Sequence, residues 1–156
     1  MTDASAEQDL IGLYSKRILG LASDIPHAGR LEDPQASVRR RSPVCGSTVT
    51  VDLDVADGKI ARFGQDVKAC ALGQASAAVL GAQAIGRTRE EIATALEQLR
   101  AMLKSGGEVP QAPFEGYEAL LPAREYKHRH ASILLALEAT LEAMDQAEGG
   151  AQAAEG

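Results

Sequence analysis

A chain of 156 residues with 45% hydrophobic and 24% charged side chains has the length of one domain and enough apolar content to bury a core without disulfides. Its net charge of −6 argues against a nucleic-acid partner, which calls for a basic face. Aromatics make up only 3%, with no Trp, so the core has to come from Ala, Leu, Val and Ile in close helix contacts.

The first residues are polar, and residues 1–9 are expected to be disordered ahead of a single domain over 10–147. Leu10, Leu13, Ile18, Leu19 and Leu21, with Tyr14, mark a helical stripe that should stop before Pro26. Residues 24–34 carry Pro, Gly and Asp and read as a loop, with His27 exposed in it. A short first strand is expected over 36–42. Arg39, Arg40 and Arg41 form a basic run there, read as a solvated strand edge or a docking surface for an acidic partner.

The next signal is stronger. Val49, Val51, Leu53 and Val55 alternate with Thr48, Thr50, Asp52 and Asp54, which predicts a strand with one wet face. Asp57-Gly58 is a two-residue hairpin turn, and 60–67 returns as the partner strand. From Cys70 to about Ile85 the small residues predict a buried helix, with Gly86 at its end. Thr88-Arg-Glu-Glu opens another helix through Ile92, Leu96, Leu99 and Leu103, which Gly106-Gly107 ends. A Gly/Pro linker follows over 105–116, then a short helical turn over 116–121. The last helix is expected over 131–147, with Ile133, Leu134, Leu137 and Leu141 inward. The tail 148–156, rich in Ala, Gly, Glu and Gln, is expected to be disordered. The architecture predicted is α+β: a small three-stranded antiparallel sheet with helices packed on one face.

Both cysteines sit at the open end of the hairpin. Cys45 precedes Gly46 just before a strand, and Cys70 precedes the first turn of a small-residue helix, where free N–H groups favour a thiolate. Two thiols brought to one end of a sheet could share a metal or a sulfur species. The plainer alternative is that both are small buried hydrophobes. Two cysteines make no disulfide framework, so a reducing cytoplasm is the expected compartment, and no apolar run is long enough to span a membrane.

At Pro43-Val-Cys-Gly-Ser-Thr-Val, the following hairpin and Cys70-Ala-Leu-Gly-Gln-Ala-Ser-Ala, the chain resembles the IscU/NifU-type iron–sulfur cluster assembly scaffolds. The likeness extends from Tyr14-Ser15 and Ile-Pro-His-Ala-Gly at 25–29 to Leu121-Pro122-Ala123-Arg124 and the last helix. The resemblance implies a scaffold that takes sulfur as persulfide from a cysteine desulfurase and passes the cluster to other assembly proteins. It implies an iron–sulfur cluster or zinc as the bound species. Cys45 and Cys70 match two of the family's three thiol positions. The third falls on Ala131 or Ser132, depending on register, and the acidic residue expected after Cys-Gly is Ser47.

A two-thiol site needs further donors, because zinc and two-iron clusters usually take four from the protein. His130, where the family often has a His, is the candidate metal ligand beside Cys45 and Cys70, and His128 is the less favoured substitute. Arg124 in Leu-Pro-Ala-Arg resembles a Pro-basic element that some members present to a chaperone; the alternative is a solvated loop Arg. No Gly-rich phosphate loop or Ser-His-Asp arrangement is present, a thiol enzyme using Cys70 and His130 is the weaker alternative, and no catalytic residue is assigned. The competing function is a non-metal adaptor that docks on a cysteine desulfurase or another assembly partner without cluster chemistry.

Overall fold

The computed structural model describes residues 15–43 and 46–155, with side chains through Glu148. The expectations for residues 1–9, for Leu10, Leu13 and Tyr14, and for Cys45 lie outside the described residues. Ser15 caps the first helix, α1 (Lys16–Ser23), its hydroxyl accepting the Ile18 N–H at 3.3 Å. The helix ends before Pro26, as the restriction on residues preceding proline predicts.

Strands β1 (Ala36–Arg41), β2 (Thr48–Ala56) and β3 (Lys59–Lys68) form one antiparallel sheet in the order β1-β2-β3. Asp57 and Gly58 both have positive φ, 54° and 76°, the conformation a two-residue hairpin turn needs to match strand twist. Cys70 is the N-cap of α2 (Ala71–Gln83). Leu72, Ala75, Ala77 and Leu80 are all buried around this helix, because small side chains let it sit between α1 and the last helix with no wet face. Helix α3 (Arg89–Lys104) opens with a capping box: Thr88 and Glu91 satisfy each other's backbone N–H groups. A 3-10 helix (Glu115–Glu125) and a one-turn 3-10 segment (Lys127–Arg129) lead into α4 (His130–Glu155).

Helix α4 packs on β1 and β2 with one side and on α2 and α3 with others, so the helices lie on one face of the sheet. Val49, Val51, Leu53, Leu99, Ile133 and Leu137 meet in the core between them. The helix continues past its expected end near Ala147 to Glu155, through Gly149-Gly150.

The polar face of β2 departs from the alternation. Thr50 is 9% exposed and Asp52 is fully buried, so the expected wet face is dry at its centre. The loop after α1 covers it. Asp52 receives Arg30 Nε at 2.6 Å and Nη2 at 3.3 Å, Ser37 Oγ at 2.6 Å and the Leu31 N–H at 3.1 Å. The same loop straps the β3 edge: the Gln65 N–H donates to His27 O at 3.0 Å, and the Gly29 N–H to Gln65 O at 2.8 Å. Gly81 permits the close approach, since a Cβ there would lie 2.7 Å from Pro26 O and 2.8 Å from Gln65 Nε2.

Burial alone would raise the Asp52 pKa, but the bonds from Arg30, Ser37 and Leu31 together hold it below the ordinary carboxylate range. A carboxylate with a lowered folded-state pKa stabilises fully above its unfolded value, about 3.9. That stability is lost as pH falls through the lower folded value. Asp54, held down first by the Arg62 guanidinium, and Glu91, held down first by the Thr88 N–H, shift in the same direction. Urea denaturation at neutral pH should show Asp52→Ala destabilised by roughly 2–3 kcal/mol, the cost of losing charge-assisted bonds. Asp52→Asn should flatten the decline in stability below about pH 4. A variant that declines in acid as steeply as the parent would show that Asp52 contributes nothing to it.

Candidate functional site

At the end of the sheet opposite the Asp57-Gly58 turn, β1 passes to β2 through loop 42–47, and β3 runs through Ala69 to Cys70. The loop is tied at its base. The Ser42 N–H donates to Ser47 O at 2.8 Å, and the Gly46 N–H to Ser42 O at 2.9 Å, with Gly46 at φ 71°. Cys45 belongs to this loop but lies outside the described residues. Its flanking residues place the loop at the same end of the sheet as Cys70.

Cys70 has an extended backbone, and its carbonyl accepts the Gln74 N–H at 2.9 Å, so it stands at the very start of α2. Its side chain makes no capping bond. The half-buried sulfur lies instead 3.7 Å from Ser132 Oγ, and Ser132 Oγ lies 2.9 Å from Ser47 Oγ. Ser132 and Ser47 are both buried, at 2% and 4% exposure, so loop 42–47, α2 and α4 are joined by a dry chain of small polar groups. Gly73 makes the juxtaposition possible, because a Cβ there would stand 2.6 Å from Ser132 Oγ. One turn further on, Ser76 Oγ donates to Ile133 O at 2.5 Å and ties α2 to α4 again.

The two registers considered for a third thiol therefore lead to different places. Ser132 is the residue whose side chain reaches Cys70, whereas Ala131 is half-buried one position earlier. No periodic signal in the sequence singled out Ser132; only the packing of α4 on α2 does.

His130 is 3% exposed, with Nε2 at 3.0 Å from Ala123 O and 3.2 Å from Arg124 O. Carbonyls only accept, so Nε2 carries the proton and donates to them, leaving the lone pair on Nδ1. Any metal taken by His130 would have to bind through Nδ1. Among the described residues, no three His, Cys, Asp or Glu side chains converge in a group able to hold a metal ion. His128 is exposed in the one-turn 3-10 segment. His27 is exposed as expected, with its ring edge-on to Phe63 at 6.2 Å.

Arg124 is not a solvated loop residue. Its Nε donates to Met102 O at 2.7 Å and its Nη2 to Gly107 O at 3.0 Å, so it closes the C-terminal end of α3. Tyr117 is buried within the 3-10 helix Glu115–Glu125, and burial pushes its hydroxyl pKa far up, so it stays protonated. Among the described residues, no helix is long and apolar enough to cross a membrane.

The family model for the NifU-like N-terminal domain matches residues 13–132. The chain is 26% identical over 132 residues to the iron–sulfur cluster assembly scaffold protein IscU of Thermotoga maritima, covering 85% of this chain and 92% of that one. Among solved structures it is similar to a nitrogen-fixing NifU-like protein (N-terminal) from Brucella abortus. That likeness has a TM-score of 0.87 and 40% identity, covering 90% of this chain and 98% of the other. A protein of Fervidobacterium islandicum AW-1, named as an iron–sulfur cluster assembly scaffold for the SUF system, shares the fold with a TM-score of 0.75 at 23% identity. That match covers 86% of this chain and 98% of the other.

Proposed function

Because this chain belongs to the NifU-like N-terminal domain family, we propose that it works as a scaffold in iron–sulfur cluster assembly, taking iron and sulfur at the tip built from loop 42–47 and the start of α2. The observation that carries this reading is the position of Cys70. It stands at a helix N-terminus, its sulfur is half-buried, and it is linked through Ser132 to the loop that contains Cys45. Free N–H groups at the start of α2 favour the thiolate form that both sulfur transfer and metal ligation require.

In this role Cys45 or Cys70 receives sulfur from a cysteine desulfurase. The thiolate attacks the sulfane sulfur of the desulfurase's persulfide. A new S–S bond forms, the old one breaks, and the desulfurase cysteine leaves as its thiolate. Neither Ala131 nor Ser132 can take part, since a methyl group or a hydroxyl carries no sulfane sulfur. Cys45, Cys70 and His130 through Nδ1 are the donors proposed for metal, with other assembly proteins as recipients. Such a mixed set suits zinc, with water in the fourth position, better than a cluster that prefers thiolate throughout.

Anaerobic purification followed by analysis for iron, zinc and acid-labile sulfide, with a visible spectrum, tests the reading. We expect either zinc near one equivalent or the absorption of a reconstituted cluster. A protein that takes up neither, even after incubation with iron and sulfide, would refute the scaffold role. One observation favours the adaptor reading: Ser47 and Ser132 bond to each other where the family resemblance implies an acidic group and, in one register, a thiol. A metal-free protein that still binds a cysteine desulfurase would establish it.

A further inference from the structure

The sheet has a second face, away from the helices, and its charge runs against that of the chain. On β1, Ala36 and Val38 are buried toward the helices, and Arg40 reaches Glu142 of α4 at 3.7 Å. Ser37, Arg39 and Arg41 alternate onto the opposite face and are exposed. The register aligns Arg39 with Thr50 and, one strand further, Asp66, and Arg41 with Thr48 and, one strand further, Lys68. A groove of about 300 Å³ on this face is lined by Arg30, Arg39, Thr48, Thr50, Asp66 and Lys68.

Several other arginines of the molecule have carboxylate partners: Arg62 pairs with Asp54, Arg87 with Glu91, Arg89 with Asp145, and Arg100 with Glu97 and Glu138. Within the groove Arg30 is held by the buried Asp52. Among the described residues, Arg39, Arg41 and Lys68 form no ion pair, and Asp66 is the one carboxylate lining the groove. Three cations facing one anion, on a chain of net charge −6, form a local field of opposite sign to the rest.

We propose that this face docks a short acidic segment of a partner protein, whose carboxylates pair with Arg39, Arg41 and Lys68. A protein segment fits better than a nucleic acid for two reasons. The groove lining offers no aromatic ring for a base to stack on, and a long polyphosphate would meet the acidic remainder of the chain. A short segment needs only two or three carboxylates within a Debye length of the cations. The placement suits delivery, since Arg41 leads directly into loop 42–47 and Lys68 is two residues before Cys70. A partner held here stands beside the thiol-bearing end of the sheet. The docking itself does not require metal or sulfur chemistry.

Fluorescence anisotropy with a labelled oligo-glutamate peptide about six residues long, ~20 Å when extended, tests the proposal on the full chain. We expect saturable binding that weakens as salt is added, and a loss of about tenfold in Arg39→Glu/Lys68→Glu, in line with two surface pairs turned repulsive. The control Arg17→Glu/Lys59→Glu changes net charge equally at exposed positions elsewhere and should fall far less. Cys70→Ser should bind the peptide unchanged, which separates this surface from the scaffold reading. Absence of saturable binding, an equal loss in the control, or tighter binding of a single-stranded oligonucleotide of the same charge would overturn the proposal.

Discussion

Cys70→Ser should reduce the metal and sulfide retained after anaerobic reconstitution by roughly tenfold or more, while thermal unfolding moves little. The first expectation follows from ligand softness: a serine hydroxyl stays protonated at neutral pH and gives iron or zinc a poor donor. The second follows from the geometry. The sulfur is half-buried at a helix start, makes no capping bond, and has a 3.7 Å contact with Ser132 Oγ that a hydroxyl can replace through small adjustments. Cys45→Ser should act in the same way on loading. After incubation with a cysteine desulfurase and cysteine, mass spectrometry should find peptides one sulfur atom heavier at Cys45 or Cys70 in the parent chain. The double variant should carry none. Full metal loading in Cys70→Ser would remove this residue from the site and leave the adaptor reading as the better account.

The second large effect concerns His130, and here the structure changes what a variant can test. From sequence, His130 stands at a helix start where replacement by Ala looks harmless to the core. In the fold it is 3% exposed and donates Nε2–H to Ala123 O and Arg124 O, joining the 3-10 helix to α4. His130→Ala leaves both carbonyls without this donor and opens buried space, so a loss of roughly 2–3 kcal/mol in urea denaturation is expected. Lost zinc in that variant would therefore say little about ligation. His130→Gln retains an amide N–H that can reach the carbonyls and lacks the imidazole lone pair. It should recover much of the stability while zinc affinity falls by about tenfold or more. If zinc binds His130→Gln as tightly as the parent, His130 is a structural residue only.

Much of the fold was legible because its signals are local. Thr88 and Glu91 announce α3 through a capping box that needs only four consecutive residues. Asp57-Gly58 specifies its hairpin because few other dipeptides accept positive φ at both positions. The alternation of Val49, Val51 and Leu53 with polar residues set the face of β2 that meets the helices, and hence the register that carries β3 toward Cys70. The same alternation misled at Asp52. Its burial is produced by Arg30 and Leu31 arriving from a loop more than twenty residues away, and a distant partner leaves no trace in a strand's own periodicity.

The sequence by itself determined the α+β class, the hairpin with both cysteines flanking its open end, the helix caps and the family likeness, since each rests on residues within a few positions of one another. The tertiary structure alone decided three other matters. It put Ser132, rather than Ala131, against Cys70, because the rotation of α4 is set by its packing on Gly73 and Ser76 of α2. It gave Arg124 to the end of α3 and His130 to the carbonyls of the 3-10 helix, because buried backbone groups left open at helix ends must find partners wherever the fold brings them. It left Arg39, Arg41 and Lys68 without carboxylates on one face of the sheet, while Arg40, Arg62 and Arg89 found theirs across element boundaries. Helix caps and turns depend on neighbours along the chain. Side-chain partners between elements depend on how those elements pack, which no window of sequence contains.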